Sequence, residues 1–410
     1  MFAQSGWFAQ SSGTSQTLYG VCFTDAKNGT VVGQNTILRT TDGGVSWINR
    51  YQNSYPETIS GVYFIDANHG IVVGAWNWYG YMNRTTDGGL SWMGDYAHGI
   101  DLVQAINAVC FSDDSVGTFV GEFGSTGIYN GFIYRTYNGG TTWTLQRGSN
   151  HDLPILEDVS FIDANIGTVV GSWYKGYGSI YHTTNNGTNW AEQTTGTTTR
   201  LNGVCLTNAN TAIVVGDSGT ILRTTNGGGI WTKQSSGTSN YLLGVSFPNI
   251  DTGFVVGGNG TILRTIDGGV HWTAQLSGTT STLRRVCFTT GRTGTVVGDN
   301  GTILRTTTGG LVGVKHDNIL DMPYQFQLFQ NYPNPFNPMT TIRFSIPKAG
   351  IVSLIVYNIL GEIVTQLVDS HREQGTYTEV WNATTLSSGV YFYRLEYDRN
   401  VLIKRMLLMK

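Results

Sequence analysis

Charge is scarce in this chain. Only 12% of its 410 residues are Asp, Glu, Lys or Arg, and the net charge is −3. That balance excludes a nucleic-acid surface or a binder of anionic membranes. Long apolar runs are missing too: none approaches the roughly 18 residues a helix needs to cross a bilayer, so no transmembrane segment is expected. Helical periodicity is hard to find. No Gly-x-Ser-x-Gly elbow, His-Glu-x-x-His helix, phosphate-binding loop or Cys-x-x-Cys pair occurs, and the 7 histidines are scattered without ligand spacing. These absences leave no expected metal or cofactor. The first residues, Met1-Phe2-Ala3-Gln4-Ser5-Gly6-Trp7, lack a basic and an apolar region and so hold no complete secretory signal.

Cysteine is limited to Cys22, Cys110, Cys205 and Cys287, and all four occupy one position of a repeat. Equivalent positions on neighbouring sheets lie about 10 Å apart, beyond the roughly 7 Å Cα limit of a disulfide. They read as small buried apolar residues with free thiols.

Glycine is abundant instead, at 55 residues, and much of it belongs to one recurring stretch. Arg39-Thr40-Thr41-Asp42-Gly43-Gly44-Val45-Ser46-Trp47 returns at Arg84–Trp92, Arg135–Trp143, His182–Trp190, Arg223–Trp231 and Arg264–Trp272. A seventh copy, Arg305 to Gly310, stops before any Trp. Its core carries Asp42, Asp87, Asn138, Asn185, Asn226 and Asp267, followed by Trp47, Trp92, Trp143, Trp190, Trp231 and Trp272. Asp or Asn can fold back onto backbone N–H groups, the glycines allow positive φ, and the Trp packs over the turn. This is a structural staple between two strands. It resembles the Asp-box, or bacterial neuraminidase repeat.

Each unit holds four strand-like pieces. Leu-x-Gly-Val-x-Phe comes first and Gly-x-Val-Val-Gly second, with Ala212 replacing the first Gly once. Gly-Thr-Ile-Leu-Arg-Thr is third, and the fourth runs from the Trp to Gln-x-Ser-Gly-Thr. Four short strands per unit, apolar on both faces, predict a propeller. Trp7 to Thr14 matches Trp231 to Thr238 but has no box before it, while the seventh unit lacks a fourth strand. The fold expected is therefore all-β, a seven-bladed β-propeller over 1–314 whose N-terminal strand closes the last blade.

Loop lengths single out one sector. From the second-strand Gly to the box Asp or its equivalent is 9 or 10 residues in units 1, 5, 6 and 7, but 13, 17 and 14 in units 2, 3 and 4. The insertions carry Trp76, Trp78, Tyr79, Tyr81, Phe123, Tyr129, Trp173, Tyr174 and Tyr177. Aromatics on loops opposite the boxes suggest a surface for a protein or glycan ligand; packing of the loops on themselves is the alternative. The repeated arginines are expected to pair with carboxylates of the adjacent turns. Glu122, Asp217 and Asp299 follow second-strand glycines on the same face and are the candidates for glycosidase chemistry, which needs two carboxylates within about 5 to 9.5 Å. Nothing in their spacing makes them converge. The chain is read as non-catalytic and monomeric, with an extracellular glycoside hydrolase or sialidase-like enzyme as the alternative.

Beyond Gly313 the repeat ends. Residues 315–325 read as a linker, and 326–410 as a small β-sandwich. Four of the 8 prolines fall between Pro333 and Pro347. The run Asn331 to Pro338, the segment Val356 to Gly361, Ser388-Gly389-Val390-Tyr391-Phe392-Tyr393 and the terminal Lys404-Arg405-Met406-Leu407-Leu408-Met409-Lys410 resemble the type A sorting domain of type IX secretion cargo. That resemblance implies a sorting signal including Gly389, Tyr391, Lys404, Arg405 and Lys410. It also implies as partners the type IX machinery and its sortase, with delivery to the outer-membrane surface or the medium. Such cargo carries an N-terminal signal, so the start at Met1 is read as truncated. The propeller resembles the photosystem II assembly and stability factor family over roughly Ser5 to Gly313, a likeness that implies a binding or assembly scaffold.

Overall fold

The computed structural model describes residues 6–51, 57–76, 79–94, 105–125, 128–148, 152–173, 176–311, 326–331 and 333–409. It divides into two compact units, Met1–Val314 and Lys315–Lys410.

The first unit contains seven four-stranded antiparallel sheets among the described residues. Six are built from consecutive strands, beginning with Leu18–Phe23, Gly29–Gly33, Thr36–Thr40 and Ile48–Asn49. The seventh takes its fourth strand from Gly6–Gln10, which pairs with Ile303–Gly310 in the register Phe8↔Arg305 and Gln10↔Ile303. Numbered along the chain, the blades close into a ring. Separate apolar clusters join blade 7 to 1, 1 to 2, and so on to 6 and 7, as in Leu18, Val31 and Leu38 against Val297 and Ile303. The first strands of neighbouring blades also touch in an unbroken cycle, so they line the central channel.

Glycine placement follows from this packing. In every blade but the fifth, the Phe at the end of the first strand lies on the Gly that opens the second: a Cβ on Gly29 would stand 2.4 Å from the Phe23 ring, and one on Gly167 2.3 Å from Phe161. The same Phe meets the box Trp edge-on, with centroids 6.0 Å apart for Phe23–Trp47 and 5.9 Å for Phe161–Trp190. In blade 7 Phe288 meets Trp7 instead, at 5.7 Å and 87°. Trp7 therefore completes the seventh box from the other end of the chain.

Inside a box, Asp42 Oδ1 accepts from the Thr40 hydroxyl (2.8 Å) and the Ser46 amide (3.0 Å), while Oδ2 accepts from the Ser46 hydroxyl (2.6 Å). Asn138 repeats the pattern with Thr136 and Thr142. Gly43 and Gly44 stand at φ 77° and 86°, where a side chain would be strained. The fourth strands are shorter than the repeat implies. Thr232–Gln234 ends before Ser236, whose hydroxyl turns the chain by donating to Thr238 O (3.1 Å).

The arginines take partners other than those expected from the turns. Arg39 Nε donates to Gly88 O of the next blade, and Arg223 Nε to Gly268 O (2.8 Å). Arg305 donates to Thr295 Oγ1 and to Ala26 O of blade 1, both at 2.6 Å. Arg135 donates to Thr118 Oγ1 (2.7 Å), Ala164 O and Asn186 Oδ1 (2.7 Å). These four guanidinium groups bridge blades through carbonyl and amide oxygens, because the strand end aims them across the joint. The neighbouring carboxylates instead bond their own turns, as Asp25 accepts from the Lys27 and Asn28 amides (2.7 Å each).

The second unit is a two-sheet sandwich. Gln327–Leu328, Met339–Ile346 and Gly375–Asn382 form one sheet; Ile363–Arg372, Gly350–Tyr357, Gly389–Tyr397 and Asn400–Leu408 form the other. One core, including Phe344, Trp381, Tyr393 and Met406, lies between them. The last strand holds the proline-rich run: Phe336 N donates to Leu407 O and Met409 N to Phe336 O, each at 3.0 Å.

Candidate functional site

Longer hairpins in three consecutive blades set the insertion face apart. In blade 2 Gly70–Trp76 pairs with Tyr79–Thr85, and in blade 3 Gly117–Ser125 pairs with Ile128–Thr136. In blade 4 Gly167–Ser172 pairs with Gly178–Thr183. Compact blades turn sooner, as Gly33 pairs directly with Thr36.

The aromatic candidates separate into groups. Tyr79, Trp173 and Tyr177 are exposed, at 58%, 38% and 51%. Trp173 and Tyr177 close a turn, the Trp173 amide donating to Tyr177 O (3.0 Å). Trp76 is half-buried at the end of its strand. Tyr81 does not belong to the surface. It packs on the joint of blades 1 and 2, where Asn83 Nδ2 donates to its hydroxyl. Burial, then the nearby Glu57, pushes its phenol well above the ordinary range. It shares a strand face with Tyr79 but lies two residues further from the hairpin end, level with the packed joint. Phe123 and Tyr129 sit at register positions opposite Asn130 and Gly124, with side chains outside the described residues. Trp78 and Tyr174 lie outside them altogether.

Around the channel mouth on that face the sequence reading missed several charged groups. Glu157 pairs with Arg200 (2.6 Å). Burial raises the Glu122 carboxyl, the Glu157 charge raises it further, and Arg200 opposes both. The other two carboxylate candidates are spoken for: Asp299 takes two bonds from Arg284 (2.6 and 3.3 Å), and Asp217 accepts from Asn202 Nδ2 (2.9 Å). Arg284 also lies over the Tyr19 ring, 5.0 Å from its centroid. Deeper in the channel, Asp158 accepts from Val204 N (3.0 Å) and Arg285 donates to Leu243 O (2.9 Å). They stand where blades 1, 2, 5 and 6 have Gly20, Gly61, Gly203 and Gly244. Departure from a repeat consensus was the signal that could have found them.

The four cysteines are free. Each keeps some solvent contact, yet dense surroundings push the Cys22 and Cys205 thiols up to about 12 and Cys110 to about 11. Among the described residues no cluster of His, Cys, Asp or Glu could hold a metal ion, and no helix is long and apolar enough to cross a membrane.

In the sandwich, Gly389 opens the strand that carries Tyr391. The Tyr391 ring is buried edge-on to Trp381 (5.5 Å), and its hydroxyl donates to Ser387 O (2.9 Å). Lys404 and Arg405 stand opposite Tyr393 and Phe392, and Gln330 Nε2 donates to Arg405 O (2.7 Å). Lys410 lies outside the described residues.

Comparison with known proteins follows this division. Residues 1–151 and 230–312 match the family described as photosynthesis system II assembly factor YCF48. Residues 330–409 match the secretion system C-terminal sorting domain. Among solved structures, YCF48 bound to D1 peptide is 22% identical with a TM-score of 0.60, over 75% of this chain and 96% of that one. The GH74 xyloglucanase of Xanthomonas campestris is 13% identical with a TM-score of 0.56, over 83% of this chain and 60% of that one. PorZ, a surface component of the type IX secretion system of Porphyromonas gingivalis, is 13% identical with a TM-score of 0.50, over 94% and 56%. No curated protein matches the chain.

Proposed function

Because this chain belongs to the YCF48 photosynthesis system II assembly factor family and ends in a type IX secretion sorting domain, we propose that it is an exported, non-catalytic propeller that captures a polypeptide partner on its insertion face. The observation that carries this reading is the restriction of long hairpins to blades 2, 3 and 4, with Tyr79, Trp173 and Tyr177 held out to solvent. Aromatic rings carry few rotatable bonds and so lose little conformational freedom on binding, and central anchors commonly contribute about 2 kcal/mol or more each. A propeller of this family solved with a D1 peptide supports polypeptide over glycan as the ligand class. The sorting domain accounts for export and leaves before or at the surface; the propeller is the delivered part.

The test is a pull-down from outer-membrane extract, with a glycan array in parallel. Tyr79→Ala combined with Trp173→Ala should lower capture at least tenfold and leave the melting temperature within a few degrees. Unchanged capture refutes this surface. Unfolding of the variant would mean that the rings hold the loops down.

A hydrolase reading has one observation in its favour, the Glu122 carboxyl raised by burial and by its neighbour Glu157. Unequal carboxyl groups are what acid catalysis at a glycosidic bond requires. Turnover of xyloglucan or another glycan by the wild type, abolished in Glu122→Gln, would replace the scaffold reading.

A further inference from the structure

The joint between blades 4 and 5 is built differently from the others. Blade 4 has His182 where the sister blades have arginine. Blade 5 has Leu206 where the others end the first strand in phenylalanine, and Ala212 where they open the second with glycine. The three changes belong together. Glycine is required only where a phenylalanine ring lies on it, so Leu206 permits the Ala212 methyl. The phenylalanine is also the platform for the guanidinium: Arg135 lies over Phe161 and Arg305 over Phe23, each 4.5 Å from the centroid.

What remains is a small open notch, its accessible part about 10 Å3 and so room for about one water, bordered by Thr168, His182, Leu206, Ala209, Gly227 and Trp231. Its oxygens match those that two sister joints, 3–4 and 7–1, offer to arginine. Thr168 is the counterpart of Thr118 and Thr295, which accept from Arg135 and Arg305 at 2.7 and 2.6 Å. Ala209 O is the counterpart of Ala164 O and Ala26 O, which accept from the same two side chains. At Gly43, Gly88 and Gly268 a nitrogen of the preceding blade's arginine lies 3.7 to 3.8 Å from where a Cβ would stand. At Gly227 the nearest atom is Ala209 O, 3.9 Å away; Gly139 of the 2–3 joint likewise meets only a carbonyl, Asp114 O at 3.1 Å, with its Arg84 more than 4 Å off. The His182 ring stops at Thr168, its Nδ1 2.9 Å from the hydroxyl. Burial holds His182 below its ordinary value, so at neutral pH it brings no competing positive charge.

We propose that this notch is a binding site for a guanidinium group, the arginine side chain of a partner polypeptide, which would supply from outside the interaction that an internal arginine makes in the sister joints. The planar group would donate to Ala209 O and Thr168 Oγ1, the two oxygens whose counterparts already hold a guanidinium. An ammonium ion, a compact point charge, cannot span both in one plane. The site lies on the box side of the ring and does not depend on the aromatic hairpins of the opposite face.

The test uses the full chain and two probes, guanidinium chloride at about 10 mM or less and N-acetyl-arginine amide, against sodium chloride and N-acetyl-lysine amide. Saturable binding of both guanidinium probes is expected by ligand-observed NMR, with half-saturation in the low millimolar range and an upward melting shift, as any ligand of the native state gives. His182→Arg should fill the notch, raise the melting temperature without ligand and abolish both responses. Absence of saturable binding in the wild type overturns the proposal. So does equal binding of the lysine probe, or equal response of His182→Arg. Should that variant fail to fold, Thr168→Val decides: loss of about fivefold or more in affinity, roughly 1 kcal/mol, supports the site, and unchanged affinity overturns it.

Discussion

Replacing Trp7 with alanine asks whether the two ends of the propeller form one blade. Trp7 is 4% exposed, meets Phe288 and Phe254 edge-on, and donates from Nε1 to Gln275 Oε1 (2.9 Å). Gln275 in turn donates to Gly309 O of the seventh box (2.8 Å), so the indole supports the turn both by packing and through this amide. Removing a buried Trp costs about 3 to 5 kcal/mol. For a unit of this size roughly 2 °C is lost per kcal/mol, which puts the expected fall in melting temperature near 8 °C. Trp47 plays the same part in blade 1 but is only partly buried, so Trp47→Ala should cost less. Trp7→Phe should fall between wild type and Trp7→Ala. The assay is scanning calorimetry of the full chain, following the propeller transition. A melt unchanged by Trp7→Ala, or lowered less than by Trp47→Ala, would refute closure through the N-terminal strand.

Acid should weaken the boxes that use aspartate. Partial burial raises the Asp87 and Asp267 carboxyls. The Ser91 hydroxyl and amide then outweigh it for Asp87, and the His271 amide and ring for Asp267, leaving both at about 2. The usual value is 3.8, so their stabilisation is full above about pH 5 and is lost progressively as pH falls toward and below 2. Asp87→Asn with Asp267→Asn should flatten that limb of a melt-versus-pH curve without loss at pH 7, as Asn138, Asn185 and Asn226 already serve; an unchanged limb would mean other carboxylates set it. Denatured, unreduced protein should take up four thiol labels, and the folded protein almost none at pH 8, since burial holds the Cys110 thiol near 11 and Cys22 and Cys205 near 12; mass spectrometry decides. In the sandwich, deleting residues 404–410 removes the buried Met406 and Leu408 and should unfold that unit, whereas Lys404→Glu with Arg405→Glu should leave its melt nearly unchanged and block surface delivery in a host with type IX secretion. Normal delivery of the charge-reversed protein would count against a signal at these positions.

The sequence by itself determined what repeats. Box, phenylalanine, glycine and tryptophan return in step because each solves a local problem: a turn needing positive φ, a ring needing a flat seat, an indole needing an edge to pack on. Their period specifies four-stranded blades, and the unmatched Trp7 strand and the Trp-less seventh box identify each other as halves of one sheet. The sorting domain was equally legible as a small sandwich, which its strands Met339–Ile346 through Asn400–Leu408 build. Tertiary structure decided what the repeat positions do to one another. A recurring arginine says that something must receive it, but the receiver is a carbonyl in the next blade, 49 residues on for Arg39 and 45 for Arg223, along a chain whose local pattern says nothing of it. Tyr81 looked like its neighbours in an insertion, but it shares a strand face with Tyr79 and lies two residues further from the hairpin end, level with the packed joint, while Tyr79 stays out. Glu122, Glu157 and Arg200 come from three consecutive blades and approach one another only because neighbouring blades pack side by side. The notch beside His182 exists for the same reason: a substitution in one blade leaves its gap in the joint with the next.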